Sequence, residues 1–234
     1  MKLHALALSL ALSAMSMGAQ AAVVGVYGGY PSSVSVSGGL TGLGHSVVDV
    51  ATADAASLAG LDALIIGRSR SGNAAITSFI NGGGMLFTEW STASYGMSLL
   101  GGSASDNYGS YMTNDSVVFT AAGIAAGLGN VLGTSYADGG ASEFFQDFGT
   151  LGSGTVFATR GSSGAAAIVG GAYGSGYVWV NGFDWADGPG PNTFRLIDNQ
   201  IDAQIGTGTV PEPATLLLMG AGLLGAGFVR RRSA

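Results

Sequence analysis

The sequence contains no cysteine. Disulfide staples, thiolate metal sites and a cysteine nucleophile are all excluded by that absence. Lysine is nearly missing too, since Lys2 is the only one in the chain. Charge as a whole is scarce, at 9% of 234 residues. Between residues 22 and 209 four arginines (Arg68, Arg70, Arg160 and Arg195) face thirteen acids, a balance of −9. A surface of that sign repels a phosphate backbone, so nucleic acid is excluded as a partner. Glycine is what the chain has in excess, with 42 residues against a usual share of about 7%. There is no Gly-X-Y period, which rules out collagen. Apolar runs recur between the glycines, which rules out disorder. About 188 residues remain between the two ends, enough for one domain that buries about 70% of its unfolded surface.

The two ends carry sorting information. Lys2 precedes an apolar run from Ala5 to Met17, and Ala19-Gln20-Ala21 follows. One cation, a short apolar stretch and an Ala-x-Ala site form a signal peptide over residues 1–21, cut by signal peptidase after Ala21. At the other end Val210-Pro211-Glu212-Pro213 precedes sixteen uncharged residues, Ala214 to Val229, and then Arg230-Arg231-Arg232. The prolines stop a helix from extending upstream. A helix over 214–229 spans about 24 Å, short of the ~30 Å hydrocarbon core. The arginines stay on the cytoplasmic side. Such a helix anchors the chain weakly in the inner membrane.

Pro211, Glu212 and Pro213, the apolar helix and Arg230 to Arg232 resemble, in that order, the PEP-CTERM sorting signal over residues 208–234. The resemblance implies a Gram-negative exporter, an exosortase as processing partner, and delivery to the cell surface or an extracellular matrix rich in polysaccharide.

The middle, 22–207, alternates short apolar runs with helical segments. Val23–Tyr27, His45–Val50, Ala63–Ile66 and Met85–Thr88 read as strands, the third wholly apolar as strands buried on both faces are. Ser32–Leu43, Ala55–Gly60 and Asn73–Ile80 read as helices, the first loosened by Gly38-Gly39 and the last capped by Asn73. Strands alternating with helices predict an α/β fold with a mostly parallel sheet. Further on, Ser91–Leu100 reads as a helix and Val117–Phe119 and Gly123–Leu128 as short glycine-interrupted pieces. Thr155–Thr159, Ala165–Val169 and Tyr177–Asn181 read as strands, the last two forming an antiparallel hairpin through a Gly170–Gly176 loop. Asn192–Ile205 reads as a closing helix with Asp198 and Asp202 outward.

Four places carry a second resemblance. They are Gly44-His45-Ser46-Val47, Leu61-Asp62-Ala63-Leu64-Ile65-Ile66, Phe79-Ile80-Asn81-Gly82-Gly83-Gly84-Met85-Leu86, and Gly174 to Trp185 with Asn199. Together they resemble the class I glutamine amidotransferase-like domain, a flavodoxin-like fold. In its catalytic members a cysteine sits on a sharp turn after the strand that matches Met85–Thr88. Here the turn reads Glu89-Trp90-Ser91-Thr92, so the resemblance implies a fold without that glutaminase chemistry.

The remaining chemistry follows from topology. His45 opens the second strand and reads as a strand-edge residue near the surface. One strand spans roughly 17 Å, too far for His45 to serve Ser91 at the opposite edge. No catalytic residue is assigned on this basis. Sites in such sheets form at the C-terminal ends of the strands. Tyr30, Arg68, Arg70, Glu89, Trp90, Asp184 and Trp185 all follow strand ends and predict one binding cleft, with aromatics to stack on a sugar and charges to hydrogen-bond it. The acids near 106, 115 and 184–187 match no Asp-x-Asp-x-Asp-Gly loop, and the glycine runs match no phosphate loop; no metal and no cofactor are predicted. Two function classes remain: a non-catalytic surface module that binds exopolysaccharide or a protein, and a secreted hydrolase working through Glu89 and Asp184.

Overall fold

The computed structural model describes residues 21–28, 31–68, 70–106, 115–138, 143–144, 146–184 and 189–205, with side chains left out at 31–35 and 143. The predicted signal peptide, the tail with its helix over 214–229, Tyr30 and Trp185 lie outside the described residues. Among the described residues, no helix is long and apolar enough to cross a membrane. The chain divides after Ala203 into two compact units, and the strands all belong to the first.

The first half alternates strand and helix. β1 (Val23–Tyr27), α1 (Pro31–Gly42), β2 (Ser46–Asp49), α2 (Ala55–Leu58), β3 (Ala63–Ile66), α3 (Ala74–Asn81) and β4 (Met85–Thr88) follow in order. A 3-10 turn, Trp90–Thr92, leads into α4 (Ala93–Leu99). The helix starts have local causes. Asn73 accepts from the Ile76 amide at 3.0 Å, which satisfies a free N–H of the first turn of α3. Asp54 does the same for α2 through the Ser57 amide at 2.9 Å. α1 buries Val36 and Leu40 around Gly38 and Gly39, and a Cβ on Gly39 would land in the Phe194 ring. The glycine is what lets the last helix approach.

The second half is mostly antiparallel. β5 (Ala104–Asp106), β6 (Val117–Phe119), α5 (Ala121–Ala125), β7 (Ser135–Tyr136), β8 (Glu143–Phe144), β9 (Gln146–Phe148), β10 (Thr155–Arg160), β11 (Ala166–Tyr173), β12 (Gly176–Asn181), β13 (Phe183–Asp184) and α6 (Pro191–Ile205) complete the chain. The main sheet has nine strands in the order β2-β1-β3-β4-β12-β11-β10-β6-β7, and two small two-stranded sheets pair β13 with β8 and β5 with β9. β2, β1, β3, β4 and β12 are parallel; β11, β10, β6 and β7 are joined antiparallel. The α/β fold with a mostly parallel sheet and a late antiparallel hairpin is therefore present.

One boundary needs correction. The glycine run 170–176 is not a loop. Register pairs Tyr173 with Gly176, so only Gly174 and Ser175 turn. Gly170 lies within β11 opposite Trp179, where a Cβ would meet the Trp179 ring at 2.7 Å. The absent side chain makes room for a buried tryptophan across the strand pair. Trp179, Phe87, Leu64, Ile66 and Leu86 are fully buried and form the centre of the core. Each such side chain contributes roughly 1.5–3 kcal/mol by leaving water.

Candidate functional site

Register fixes where the strands end. Tyr27 pairs with Ile66, Ile66 with Thr88, and Thr88 with Val180. Four parallel strands thus finish in one row. The residues that follow this row must converge above it. Gly28 and Gly67 let the first two exits touch, since a Cβ on Gly28 would lie 3.0 Å from the Gly67 Cα.

Arg68, Glu89 and Asp184 do meet at this edge. The Arg68 guanidinium pairs with the Asp184 carboxylate through Nη2, and its Nε lies 3.9 Å from Glu89 Oε1. The Arg68 amide donates to the same Glu89 oxygen at 2.9 Å. Glu89 and Asp184 are buried, at 1% and 0% exposure, while the Arg68 side chain keeps 16%. Arginine therefore forms the lid and the carboxylates lie beneath it. Two carboxylates this deep need a cation to offset their desolvation.

Trp90 sits at the top of the turn with φ +45, in the left-handed region. A bulky residue there costs on the order of 1–3 kcal/mol unless its surroundings hold it. They do so on both sides. The Glu89 amide donates to Thr92 Oγ1 at 3.0 Å, and the Thr92 amide donates to the Glu89 carbonyl at 2.9 Å. The Arg68 guanidinium lies 4.4 Å over the Trp90 ring, a cation–π contact. Ser91 Oγ donates to the Arg68 carbonyl at 3.2 Å. β4 thus ends in a sharp turn with tryptophan at its apex.

Arg70 is exposed and stacks over the Tyr27 ring at 4.9 Å. It pairs with no carboxylate among the described residues, unlike Arg68, Arg160 and Arg195. Tyr27 is an addition to the residues expected at the site. Its place at the end of an apolar strand before Gly28 is the signal that could have found it.

His45 requires a correction. It is 4% exposed, and it does not lie at the surface. Its Nδ1 accepts from the Ala22 amide at 3.2 Å, and its Nε2 lies 3.0 Å from Asp198 Oδ1. Asp198 is also corrected: it is 2% exposed and takes Arg195 Nη1 on its second oxygen at 2.6 Å. Burial pushes the Asp198 carboxyl up, but hydrogen bonds from His45 and Arg195, with the Arg195 charge, outweigh it and hold it below the ordinary value. Asp202, half-buried on the next turn, is pushed up by burial and by the Asp198 charge. This cluster lies at the N-terminal ends of the strands, opposite Ser91. A shallow groove lined by Leu43, Leu132, Phe194 and Arg195 also lies toward that side, away from the Arg68 edge.

Of the acids considered for calcium, Asp106, Asp115 and Asp184 have other partners, and Asp187 lies outside the described residues. Asp115 accepts from the Ser116 and Ser162 amides at 2.7 and 3.1 Å and from Ser162 Oγ at 2.5 Å. Asp106 accepts from the Gln146 side-chain amide. Among the described residues no three His, Asp or Glu side chains are grouped to hold a metal ion.

Residues 209–232 match the PEP-CTERM protein-sorting motif, about a tenth of the chain. The motif marks an exported protein handled by an exosortase system. No curated protein matches the chain in sequence. Solved structures share its fold. A protein assigned as one subunit of a GMP synthase, from Thermoplasma acidophilum, superposes with a TM-score of 0.59 at 14% identity, covering 80% of this chain and 96% of that one. PurLQS from Thermotoga maritima gives 0.53 at 13% identity, covering 78% and 99%. A β-galactosidase from Bacillus circulans sp. alkalophilus gives 0.53 at 12% identity, covering 83% of this chain but 32% of that one. The chain thus spans about a third of the β-galactosidase it resembles. At these identities the likeness is one of fold.

Proposed function

We propose that the α/β domain is a non-catalytic binding module displayed at the cell surface or in the extracellular matrix, where it holds polysaccharide at the C-terminal edge of its sheet. The observation that carries this reading is the stacking order at that edge. Glu89 and Asp184, the pair a hydrolase would use, lie buried beneath Arg68, which engages both. What faces outward is Arg68, half-buried Trp90, and exposed Arg70 on Tyr27. Aromatic faces and guanidinium donors suit the apolar face and hydroxyls of a sugar ring. A general acid needs access to the leaving oxygen, which a carboxylate under an arginine lacks.

Tail processing, domain limits at 22–207 and final delivery to the surface belong to the same proposal. Mass spectrometry of the surface form should find Arg230–Arg232 removed.

Retention of the producing cell's own polysaccharide tests the binding reading. Trp90→Ala and Arg70→Ala should each reduce the protein held on that polymer. Unchanged retention in both would sink the cleft. Release of reducing ends, abolished by Glu89→Gln, would instead establish the hydrolase.

A further inference from the structure

The N-terminal end of β1 carries an arrangement that sugar binding does not use. Exposure changes abruptly at one peptide bond: Ala21 is exposed and Ala22 is 1% exposed. This is the bond at which the Ala-x-Ala signal predicts cleavage. The nitrogen on its buried side donates to His45 Nδ1 at 3.2 Å. Behind the ring, Nε2 faces Asp198 Oδ1 at 3.0 Å, and Asp198 is in turn held by Arg195. These partners assign the tautomer. The hydrogen sits on Nε2 and points at the carboxylate, and the Nδ1 lone pair points at Ala22.

We propose that this is a receiving site for the new N-terminus: cleavage after Ala21 turns the Ala22 amide into an α-ammonium group that docks on His45. In the cut, water breaks the C–N bond. Its hydroxyl goes to the Ala21 acyl carbon and its hydrogen to the Ala22 nitrogen. The acid so formed loses a proton and the amine takes one up. The existing bond to His45 is kept and becomes charge-assisted, which roughly doubles its strength. Ala21, on the far side of the cut bond, is exposed, so water reaches the other N–H groups from there.

The surroundings favour a cation there. Asp62 Oδ2 accepts from the next amide, Val23, at 2.7 Å. Asp198 lies behind His45, and Asp202 lies one turn further along α6. Arg195 is the one cation packed against this group among the described residues, and Asp198 engages it. The Ala22 carbonyl is held too, by the Ser46 amide at 2.9 Å.

Lysine scarcity makes the test clean. Lys2 is the only lysine and lies in the predicted signal peptide. The processed protein then has a single primary amine. The exported protein, purified after processing, is first sequenced from its N-terminus, and a start other than Ala22 overturns the proposal. The amine is then acetylated with an N-hydroxysuccinimide ester across a range of pH. A docked ammonium reacts about tenfold or more slowly in the folded protein than in urea. Its pH–rate profile lies above the ordinary α-amino range of about 7.7–8.0. Burial without docking would move that profile down instead, and a downward shift or equal rates overturns the idea. Acetylated wild type should melt about 2–4 °C lower than the free form; an unchanged melting temperature also overturns it. Asp198→Asn should move the profile back toward the ordinary range.

Discussion

One arginine stands at each end of the parallel strands. At the C-terminal end Arg68 covers Glu89 and Asp184 and keeps part of its own surface in water. At the N-terminal end Arg195 holds Asp198, which turns inward to His45 and the start of β1. The ingredients are similar, but the direction differs. The first cluster directs its cation outward beside aromatic rings. The second directs its acid inward and ties α6 to the residue just before β2 across 153 residues of sequence. A cluster that faces out can meet a ligand; one that faces in closes the domain. The same residue types therefore present a cation to solvent at one edge and close the domain at the other.

Breaking the outward cluster should have the largest effect. Arg68→Ala leaves two buried carboxylates without their cation, and should cost about 3–5 kcal/mol in urea unfolding. If the loss is under ~1 kcal/mol, the carboxylates are not held as charges and the contrast fails. Breaking the inward cluster should cost less. Asp198→Asn keeps the shape but removes the charge, for a loss of about 1.5–3 kcal/mol near pH 7. Its pH dependence has a defined sign. The folded carboxyl lies below the ordinary value of 3.8, so the unfolded chain binds more protons between the two values. The stabilisation is complete above about pH 5 and fades as pH falls through the folded value. The gap between wild type and Asp198→Asn should close in that acid range.

Asp202 sharpens the comparison with the opposite sign. Its carboxyl is raised by burial and then by Asp198. The folded state therefore binds more protons just above the ordinary value, and the ionised group opposes folding at neutral pH. Asp202→Asn should stabilise by at most about 0.5 kcal/mol after solvent screening, visible as a small rise in urea midpoint at pH 7 that vanishes in acid. The smallest effect on stability should come from Arg70→Ala. Loss of an exposed cation–π contact is worth about 0.5 kcal/mol, so retention on polysaccharide should fall while the melting curve barely moves.

How far the sequence leads differs between the two ends for physical reasons. β3 and β4 are continuous apolar runs because both faces of the sheet are covered, and their limits agree with the reading to the residue. Once those ends are known, the rule that ligands meet α/β sheets at the C-terminal edge assembles Arg68, Glu89 and Asp184. Polarity alone puts Asp198 outward. Its position says otherwise: it lies four residues after Phe194 and three before Ile201, on the face that packs inward. α6 is buried nearly all round from Leu196 to Ile201, because Asn199 also reaches the Leu128 and Asn130 carbonyls at 2.9 and 2.8 Å. A polar residue on such a helix is placed by a partner distant in sequence, here His45. β7, β8, β9 and β13 escape a sequence reading, since two or three residues carry no alternation to read.

The scarcity of cations has a further consequence for resistance to proteolysis. Proteases that cut after basic residues find only Arg68, Arg70, Arg160 and Arg195 in residues 22–205. Arg68 is held by Asp184, Arg160 is 5% exposed and sits on Asp147, and Arg195 is tied to Asp198. That leaves the bond after Arg70 as the main exposed target for a trypsin-like enzyme. A charge distribution that assigns most of its few arginines to ion pairs also gives the folded domain a surface nearly without tryptic cleavage points.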